Sequence, residues 1–188
     1  MELYTAFLVI LSILIPLNEA VNCDKKPTDL EYMMPETCWY GPTLIDYDAQ
    51  FDCETDMEAN SGKPYSSEGS ICVSDCLMKE NDVLKDMKLN KNKFLEFVKK
   101  RTPGADFTNW ETAIKAAIEK CFPLADQKLT TLNAKDYDNV KKCNPVPQKL
   151  YTCLGAQILV GAPAKEVGML DEYCTRLRDF YKTCEFTF

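Results

Sequence analysis

Two cysteines four residues apart, Cys72 and Cys76, lie in a segment with helical character and are the side chains best placed to do chemistry. At this spacing both thiols lie on one helix face, so they can share a metal ion or each join a different part of the chain. A zinc site would need two further ligands. The chain has no second close cysteine pair and no histidine, so we prefer disulfide bonds and expect no metal or cofactor.

The N-terminus has the pattern of a secretory signal peptide over residues 1–20. Residues 6–17 are an apolar run of twelve, shorter than the roughly 20 residues of a membrane span, and a short polar stretch ends at Ala20. A buried helix of a cytosolic protein is the alternative. We therefore predict a secreted, extracellular protein without stable membrane insertion, with a single domain over residues 21–188.

All the cysteines follow residue 20, and an even number in a secreted chain indicates five disulfides. The ten cysteines are Cys23, Cys38, Cys53, Cys72, Cys76, Cys121, Cys143, Cys153, Cys174 and Cys184.

Charge and composition exclude several functions. Without residues 1–20 the chain has 22 basic and 27 acidic residues, a net charge of −5, because Glu2 and Glu19 are removed. An acidic chain in which we find no basic cluster argues against nucleic acid and anionic membranes as partners. The absence of histidine excludes Ser-His-Asp and Cys-His catalysis. We expect no enzyme, and a hydrolase built on carboxylates alone is the weakest of the alternatives.

The fold class predicted from apolar periodicity is all-α, with an irregular N-terminal segment over residues 21–69 and helices over residues 70–188. Within the first segment, residues 46–52 are expected to form a solvated acidic loop, since they lack the glycine of an EF-hand. No stretch alternates in the manner of a strand. Six helices are predicted, over about 70–81, 90–101, 108–122, 133–143, 147–160 and 163–184. Ser70 caps the first, a capping box at 108–111 begins the third, and Phe122-Pro123 ends it. Pro147 lies in the first turn of the fifth, and Pro163 begins the last, which runs to Cys184.

The later cysteines follow a fixed spacing, C-x3-C-x44-C-x21-C-x9-C-x9-P-x10-C-x9-C, from Cys72 to Cys184 with Pro163 as the proline. This closely resembles the Plus-C subgroup of insect odorant-binding proteins, which adds cysteines and a placed proline to a six-cysteine pattern. The resemblance covers about two thirds of residues 21–188. The chain departs from the subgroup in having ten cysteines where twelve are frequent, and in one extra residue before Pro163.

The resemblance implies a compact, disulfide-linked bundle of about six or more helices around a hydrophobic cavity. It also implies a pairing in which the first cysteine joins the third, the second the fifth and the fourth the sixth. Carried over, Cys72 as second pairs Cys153 as fifth, Cys76 as third pairs the N-terminal segment, and Cys174 is the sixth. Two positions stay open, with Cys23, Cys38 and Cys53 as candidates for the first cysteine and Cys121 and Cys143 for the fourth.

Large apolar and aromatic side chains on the predicted helices are the candidates for lining such a cavity, although each one alone fits a packed core better. The candidate ligand-binding residues are Phe94, Phe97, Trp110, Ile114, Ile118, Leu154, Ile158, Leu170, Tyr173, Leu177 and Phe180.

The function that the resemblance implies is the transport of small hydrophobic ligands, such as odorants, pheromones or related lipophilic molecules, in extracellular sensory lymph. A chemosensory receptor or a second copy of the chain, as a homodimer, stays open as a macromolecular partner. The alternative is a secreted protein–protein interaction or immune-type module on the same disulfide-caged fold, which needs an exposed apolar patch rather than a cavity.

Overall fold

The computed structural model describes residues 23, 26, 35–61, 66–102, 105–133, 142–163 and 172–186. The predicted signal peptide and most of the predicted helix 133–143 lie outside these residues. The described part is all-α, as predicted, with a short 3-10 helix, six α-helices and one small hairpin. In chain order the elements are the 3-10 helix Pro35–Cys38, α1 Tyr47–Ser61, α2 Ser67–Glu80, β1 Leu84–Lys85, β2 Lys88–Leu89, α3 Lys91–Arg101, α4 Ala105–Leu129, α5 Val146–Gly161 and α6 Glu172–Thr183.

Helix α5 is the central element of the described core. It packs most extensively on α4, and α2, α6 and the 3-10 helix cover its other sides. Its sequence is apolar around most of its circumference, which is the pattern of a helix buried on all sides. Leu150, Leu154 and Ile158, at intervals of four, are completely buried. The apolar faces of the neighbouring helices are therefore positioned by this one helix.

The N-terminal segment is more regular than the sequence predicted. Residues 47–61 form helix α1, so the prediction of an acidic loop at residues 46–52 was wrong. Asp46 explains the helix start, because its Oδ1 accepts hydrogen bonds from the backbone N–H groups of Asp48 and Ala49 at 3.1 and 3.3 Å. A carboxylate at this position satisfies N–H groups that have no partner within the helix.

Two predicted helix caps were also wrong. Ser66, not Ser70, caps α2, accepting a hydrogen bond from the Gly69 N–H at 3.0 Å. The predicted capping box at residues 108–111 lies inside α4, which begins at Ala105. Helix α3 begins one residue after its cap Asn90, and α5 includes Pro147 in its first turn, both close to prediction.

Helix α4 continues past the proline that was expected to end it. Pro123 lies inside the helix, which runs on to Leu129. Phe122, Ala125 and Leu129 are buried on the same side, so burial on both sides of the proline offsets the lost backbone hydrogen bond.

A small hairpin, β1–β2, was not predicted. Leu84 pairs with Leu89 and Lys85 with Lys88, in antiparallel register. The two turn residues, Asp86 and Met87, have φ angles of 50° and 57°, the left-handed conformation that tight hairpin turns require. Two residues per strand leave no alternation that a sequence pattern could reveal.

All ten cysteines form disulfides, as predicted. The five bonds are Cys23–Cys184, Cys38–Cys174, Cys53–Cys76, Cys72–Cys143 and Cys121–Cys153. Cys76 joins the N-terminal segment, as expected. The expected bonds from Cys72 to Cys153, and from Cys174 to either Cys121 or Cys143, were wrong.

The error concerned the numbering of the cysteines and not the pairing order. When Cys53 is taken as the first cysteine and Cys153 as the sixth, the bonds are first to third, second to fifth and fourth to sixth. The remaining two bonds join Cys23 and Cys38 to the C-terminal part of the chain. The central bundle therefore keeps the implied pairing order, and the added bonds fasten the N-terminal segment to α6 and the residue after it.

Candidate functional site

Most of the predicted ligand-binding residues lie together in the apolar core. Leu170 is outside the described residues, and Tyr173 is 46% exposed on α6. The other nine predicted residues are buried in one contiguous cluster; they are Phe94, Phe97, Trp110, Ile114, Ile118, Leu154, Ile158, Leu177 and Phe180.

Aromatic rings are concentrated at two places in this cluster. Trp39 and Trp110 lie with ring centroids 5.9 Å apart, and Phe94 lies 5.7 Å from Phe122. Gly41 permits the first arrangement, because a Cβ at that position would lie 2.4 Å from the Trp110 ring. A glycine is therefore required where the chain passes over the tryptophan.

An apolar cleft of about 260 Å³ opens from this core between the hairpin and α4. Its apolar walls are Leu89 from β2 and Ile118, Phe122 and Pro123 from α4. We call this site the α4 cleft; its remaining lining residues are Lys91, Glu119 and Asp126. Of the predicted ligand-binding residues that the structure describes, only Ile118 lines this cleft.

The hairpin and α3 hold the outer wall of the α4 cleft in place. The backbone N–H of Asn90 donates to the Val83 carbonyl at 2.8 Å, which fixes the end of β2 against the start of β1. Lys91 then forms an ion pair with Glu119 at 2.9 Å, linking the start of α3 to α4. Both charged side chains are exposed, so this pair orients the rim and contributes little stability.

Two acceptor groups give the α4 cleft a polar side. Pro123 has no backbone N–H, so it cannot donate the helical hydrogen bond to the Glu119 carbonyl one turn earlier. Asp126, one turn further on, is the second acceptor. Partial burial raises the pKa of the Asp126 carboxyl, and the nearby backbone N–H of Leu89 opposes this rise. An apolar molecule with a hydroxyl or amine donor would complement this lining.

The lining of the α4 cleft combines apolar side chains with two carboxylates and one lysine. Its lining contains no serine, cysteine or histidine, and its two carboxylates belong to residues at the exposed rim. A second concavity, of about 580 Å³, lies on the hairpin and is lined by four lysines and two aspartates, with Leu89 and Asn90. Its charged lining is poorly suited to an apolar molecule.

Metal binding and membrane insertion are not indicated by the described residues. Among them, no group of three or more acidic or cysteine side chains is placed to hold a metal ion. None of their helices combines the length and the apolar character needed to cross a membrane.

The chain is similar to known proteins over most of its length. A family model described as AgamOBP47-like, of the insect odorant-binding proteins, matches residues 42–180. The chain belongs to this family. General odorant-binding protein 68 of Anopheles gambiae is 25% identical over 151 residues, which cover 79% of this chain and 69% of that protein. The matched region runs from before α1 into α6, and so includes the α4 cleft.

Sequence reasoning missed most of the α4 cleft in this odorant-binding protein. No sequence pattern indicates a role for Leu89, which precedes a predicted helix, and Phe122-Pro123 predicts a helix end, yet all three residues line the cleft. A usable signal was present, because the apolar spacing of Phe122, Ala125 and Leu129 continues the helical pattern beyond the proline.

Proposed function

We propose that this protein is a secreted, non-catalytic carrier of small hydrophobic molecules, such as odorants, pheromones or related lipophilic compounds, in extracellular sensory lymph. The observation that carries the proposal is the α4 cleft, an apolar site with two acceptors in a chain of the odorant-binding family. The ten-cysteine spacing supports placement in the Plus-C subgroup. The signal-peptide pattern of residues 1–20 supports secretion.

The size of the α4 cleft limits the ligand. At the ~30 Å³ that one water molecule occupies in the liquid, about 260 Å³ holds roughly eight or nine non-hydrogen atoms. Burial of ~200 Å² of apolar surface at ~25 cal/mol/Å² contributes about 5 kcal/mol before ordering costs. We therefore expect dissociation constants from roughly millimolar to micromolar.

The Glu119 carbonyl, to which Pro123 cannot donate, adds a chemical preference to this size limit. A ligand hydroxyl placed against it makes a hydrogen bond that an ether of the same length cannot make. Because a neutral hydrogen bond contributes about 1 kcal/mol, octanol should bind roughly five- to tenfold more tightly than a matched octyl ether. Medium-chain alcohols are the ligand class that the cleft favours.

Calorimetric titration of the disulfide-bonded protein with octanol tests the proposal. We expect saturable binding with a negative heat-capacity change, because apolar surface is buried. Leu89→Trp, which fills the outer wall, should weaken octanol binding at least about tenfold. Leu95→Trp is the matched control, since Leu95 is also a partly buried leucine but does not line the cleft.

A second variant examines the acceptor separately. Pro123→Ala restores an N–H that can bond to the Glu119 carbonyl, so the preference for octanol over the ether should fall, with the Asp126 carboxyl as the remaining acceptor. The absence of saturable binding across a panel of apolar compounds would refute the carrier function. Binding that Leu89→Trp leaves unchanged would refute the assignment to the α4 cleft.

A secreted protein–protein interaction module is the second candidate, because one helix exposes two aromatic rings. Tyr47 and Phe51 on α1 are each about 70% exposed. These two rings do not line the α4 cleft, so variants at Tyr47 or Phe51 test the interaction function without altering the cleft.

A further inference from the structure

Helix α1 has an aromatic outer face that its position in the fold does not explain. Its inner side contributes Cys53 and Met57 to the core, while Tyr47 and Phe51 are 70% and 69% exposed. These two rings are four residues apart and therefore neighbours on one helix face. Large rings of this kind are enriched in protein interfaces, where they act as anchors.

The same helix is strongly acidic. Residues 46–58 contain six acidic residues and no basic residue. They are Asp46, Asp48, Asp52, Glu54, Asp56 and Glu58. The aromatic pair is thus surrounded by negative charge, which favours a partner with a basic surface and disfavours an acidic one.

A basic surface of this kind exists on the chain itself, so the expectation that the chain has no basic cluster was wrong. Residues 85–101, which comprise the hairpin and α3, contain seven basic and two acidic residues, in a chain with a net charge of −7. Lys91 and Lys93 form exposed ion pairs with Glu119 and Glu96. Lys99 and Lys100 are exposed in the last turn of α3, and in the described structure neither forms an ion pair. The Lys99 ammonium lies 5.8 Å from the centroid of the Phe107 ring on α4.

The acidic and basic surfaces meet at one corner of the molecule. Arg101, at the end of α3, forms an ion pair with Asp46, immediately before α1. The acidic face of α1 and the basic end of α3 are therefore neighbours. In a dimer with a two-fold axis, the acidic surface of each copy can contact the basic surface of the other copy. The same contact then forms twice.

We propose that the outer face of α1 docks on the hairpin–α3 surface of a second copy of this chain, in a two-fold symmetric dimer. Tyr47 and Phe51 are the apolar anchors, and the surrounding aspartates of each copy face the lysines of the other. Helix α1 is ~22 Å long for its 15 residues, so a single contact is smaller than a stable interface. The two-fold repeat doubles the buried area. This inference requires no ligand, although Leu89 and Lys91 belong both to the hairpin–α3 surface and to the lining of the α4 cleft.

Sedimentation equilibrium of the disulfide-bonded protein measures the dimer directly. We expect a reversible monomer–dimer equilibrium whose dissociation constant rises at least about tenfold between ~0.05 M and ~0.5 M salt, because the contacts are charged and near the surface. Phe51→Ser should weaken the dimer about tenfold or more through loss of one anchor in each contact. A chain that stays monomeric at all accessible concentrations would overturn the proposal.

Charge reversal gives a sharper test, because it predicts a rescue. Asp48→Lys/Asp52→Lys and Lys99→Glu/Lys100→Glu should each abolish self-association, since like charges then face one another in both contacts. An equimolar mixture of the two variants should form a heterodimer, because both contacts again join opposite charges.

The matched control is Glu172→Lys/Asp179→Lys, which reverses two exposed acidic residues on α6 and leaves α1 and α3 unchanged. This variant should dimerise like the unaltered protein. Equal weakening by the control, or a mixture that remains monomeric, would contradict the proposed faces. Circular dichroism verifies that each variant is folded. The salt dependence of dimerisation tests the proposal on the unaltered protein, independently of any variant.

Discussion

Helices α5 and α1 have almost the same length, 16 and 15 residues, but different interactions fix them in the fold. Ten residues of α5 are buried, and neighbouring elements pack on it from several sides. Helix α1 buries Cys53 and Met57 among its described side chains, and a disulfide bond to Cys76 fastens it to α2. Apolar burial therefore determines the position of the inner helix, and covalent and ionic links determine that of the outer helix.

The largest effect should come from a cavity in α5. Leu154 is completely buried, and Leu154→Ala removes its packing while the surrounding core relaxes only in part. We expect the free energy of unfolding to fall by about 3–4 kcal/mol. Urea denaturation under non-reducing conditions measures this change. Val160→Ala, at a partly buried position on the same helix, should cost clearly less; equal losses would contradict the description of α5 as the central helix.

The second largest loss of stability should follow removal of the disulfide bond that holds α1. Cys53 and Cys76 are 23 residues apart in the sequence, and Cys53→Ser/Cys76→Ser should lower the free energy of unfolding by about 3 kcal/mol. Amide hydrogen exchange should increase most in α1, while α5 stays protected. Faster exchange spread evenly over both helices would argue against the different anchoring of the two helices.

The different anchoring of α5 and α1 explains why only α5 of the two could be predicted from the sequence. Helix α5 was predicted to within one residue at each end, because Leu150, Leu154 and Ile158 repeat at helical spacing. Helix α1 was missed, since its apolar residues lie on both sides and give no such repeat. Its position depends on Cys76, which is distant in the sequence. The spacing of apolar residues in a sequence indicates which helix faces are buried, but it does not indicate which cysteines are bonded.

The candidate site shows the same limit. Ile118 was predicted as a ligand-binding residue because it belongs to an apolar face, and it does line the α4 cleft. Leu89 and Pro123 reach the cleft through a hairpin of two-residue strands and a proline inside a helix. Both features depend on tertiary packing, which overrides the local preferences that sequence reasoning uses.

A glycine next to the core should show an intermediate effect. Gly41→Ala places a methyl group against the Trp110 ring, and this ring is fully buried and cannot move freely. We expect a loss of about 2 kcal/mol in unfolding free energy. Gly161→Ala is the comparison, because its Cβ would lie 3.1 Å from Ala113 and needs only a small adjustment. A smaller loss at Gly41 than at Gly161 would show that the Trp110 ring can yield.

A buried carboxylate on α2 should make stability depend on pH. Asp75 Oδ2 accepts hydrogen bonds from Lys79 Nζ at 3.0 Å and from the Asn144 N–H at 3.2 Å, and Oδ1 has no partner in the described structure. Burial raises the pKa of the Asp75 carboxyl, against the effect of Lys79 and Asn144. The folded chain therefore binds this proton at a higher pH than the unfolded chain, and stability from this group increases as pH falls toward about 4.

Asp75→Asn should remove this pH dependence while changing the unfolding free energy by only about 1 kcal/mol at neutral pH, because an amide oxygen still accepts one of the hydrogen bonds. Relative to the unaltered protein, the variant should lose stability as the pH is lowered from 7 toward 4. Urea titrations at several pH values measure the difference. A difference that is constant with pH would mean that Asp75 does not titrate in this range.

The smallest effect should come from the outer face of α1. Phe51→Ala removes a ring that is mostly exposed to solvent, so the free energy of unfolding of the monomer should change by less than about 0.5 kcal/mol. Thermal unfolding at low protein concentration, where dimers are absent, is the appropriate measurement. A loss as large as that of Leu154→Ala would place the ring in the core and remove the distinction between the two helices.

The most direct test of the carrier account is methyl NMR during titration with octanol. Ile118 and Leu89 line the α4 cleft, while Ile45 lies two residues before α1 and is not part of that lining. We predict saturable shifts of the Ile118 and Leu89 methyl signals with one common dissociation constant, and little change at Ile45. Absence of saturable shifts at Ile118 and Leu89, or saturable shifts confined to the region of Ile45, would contradict ligand binding in the α4 cleft.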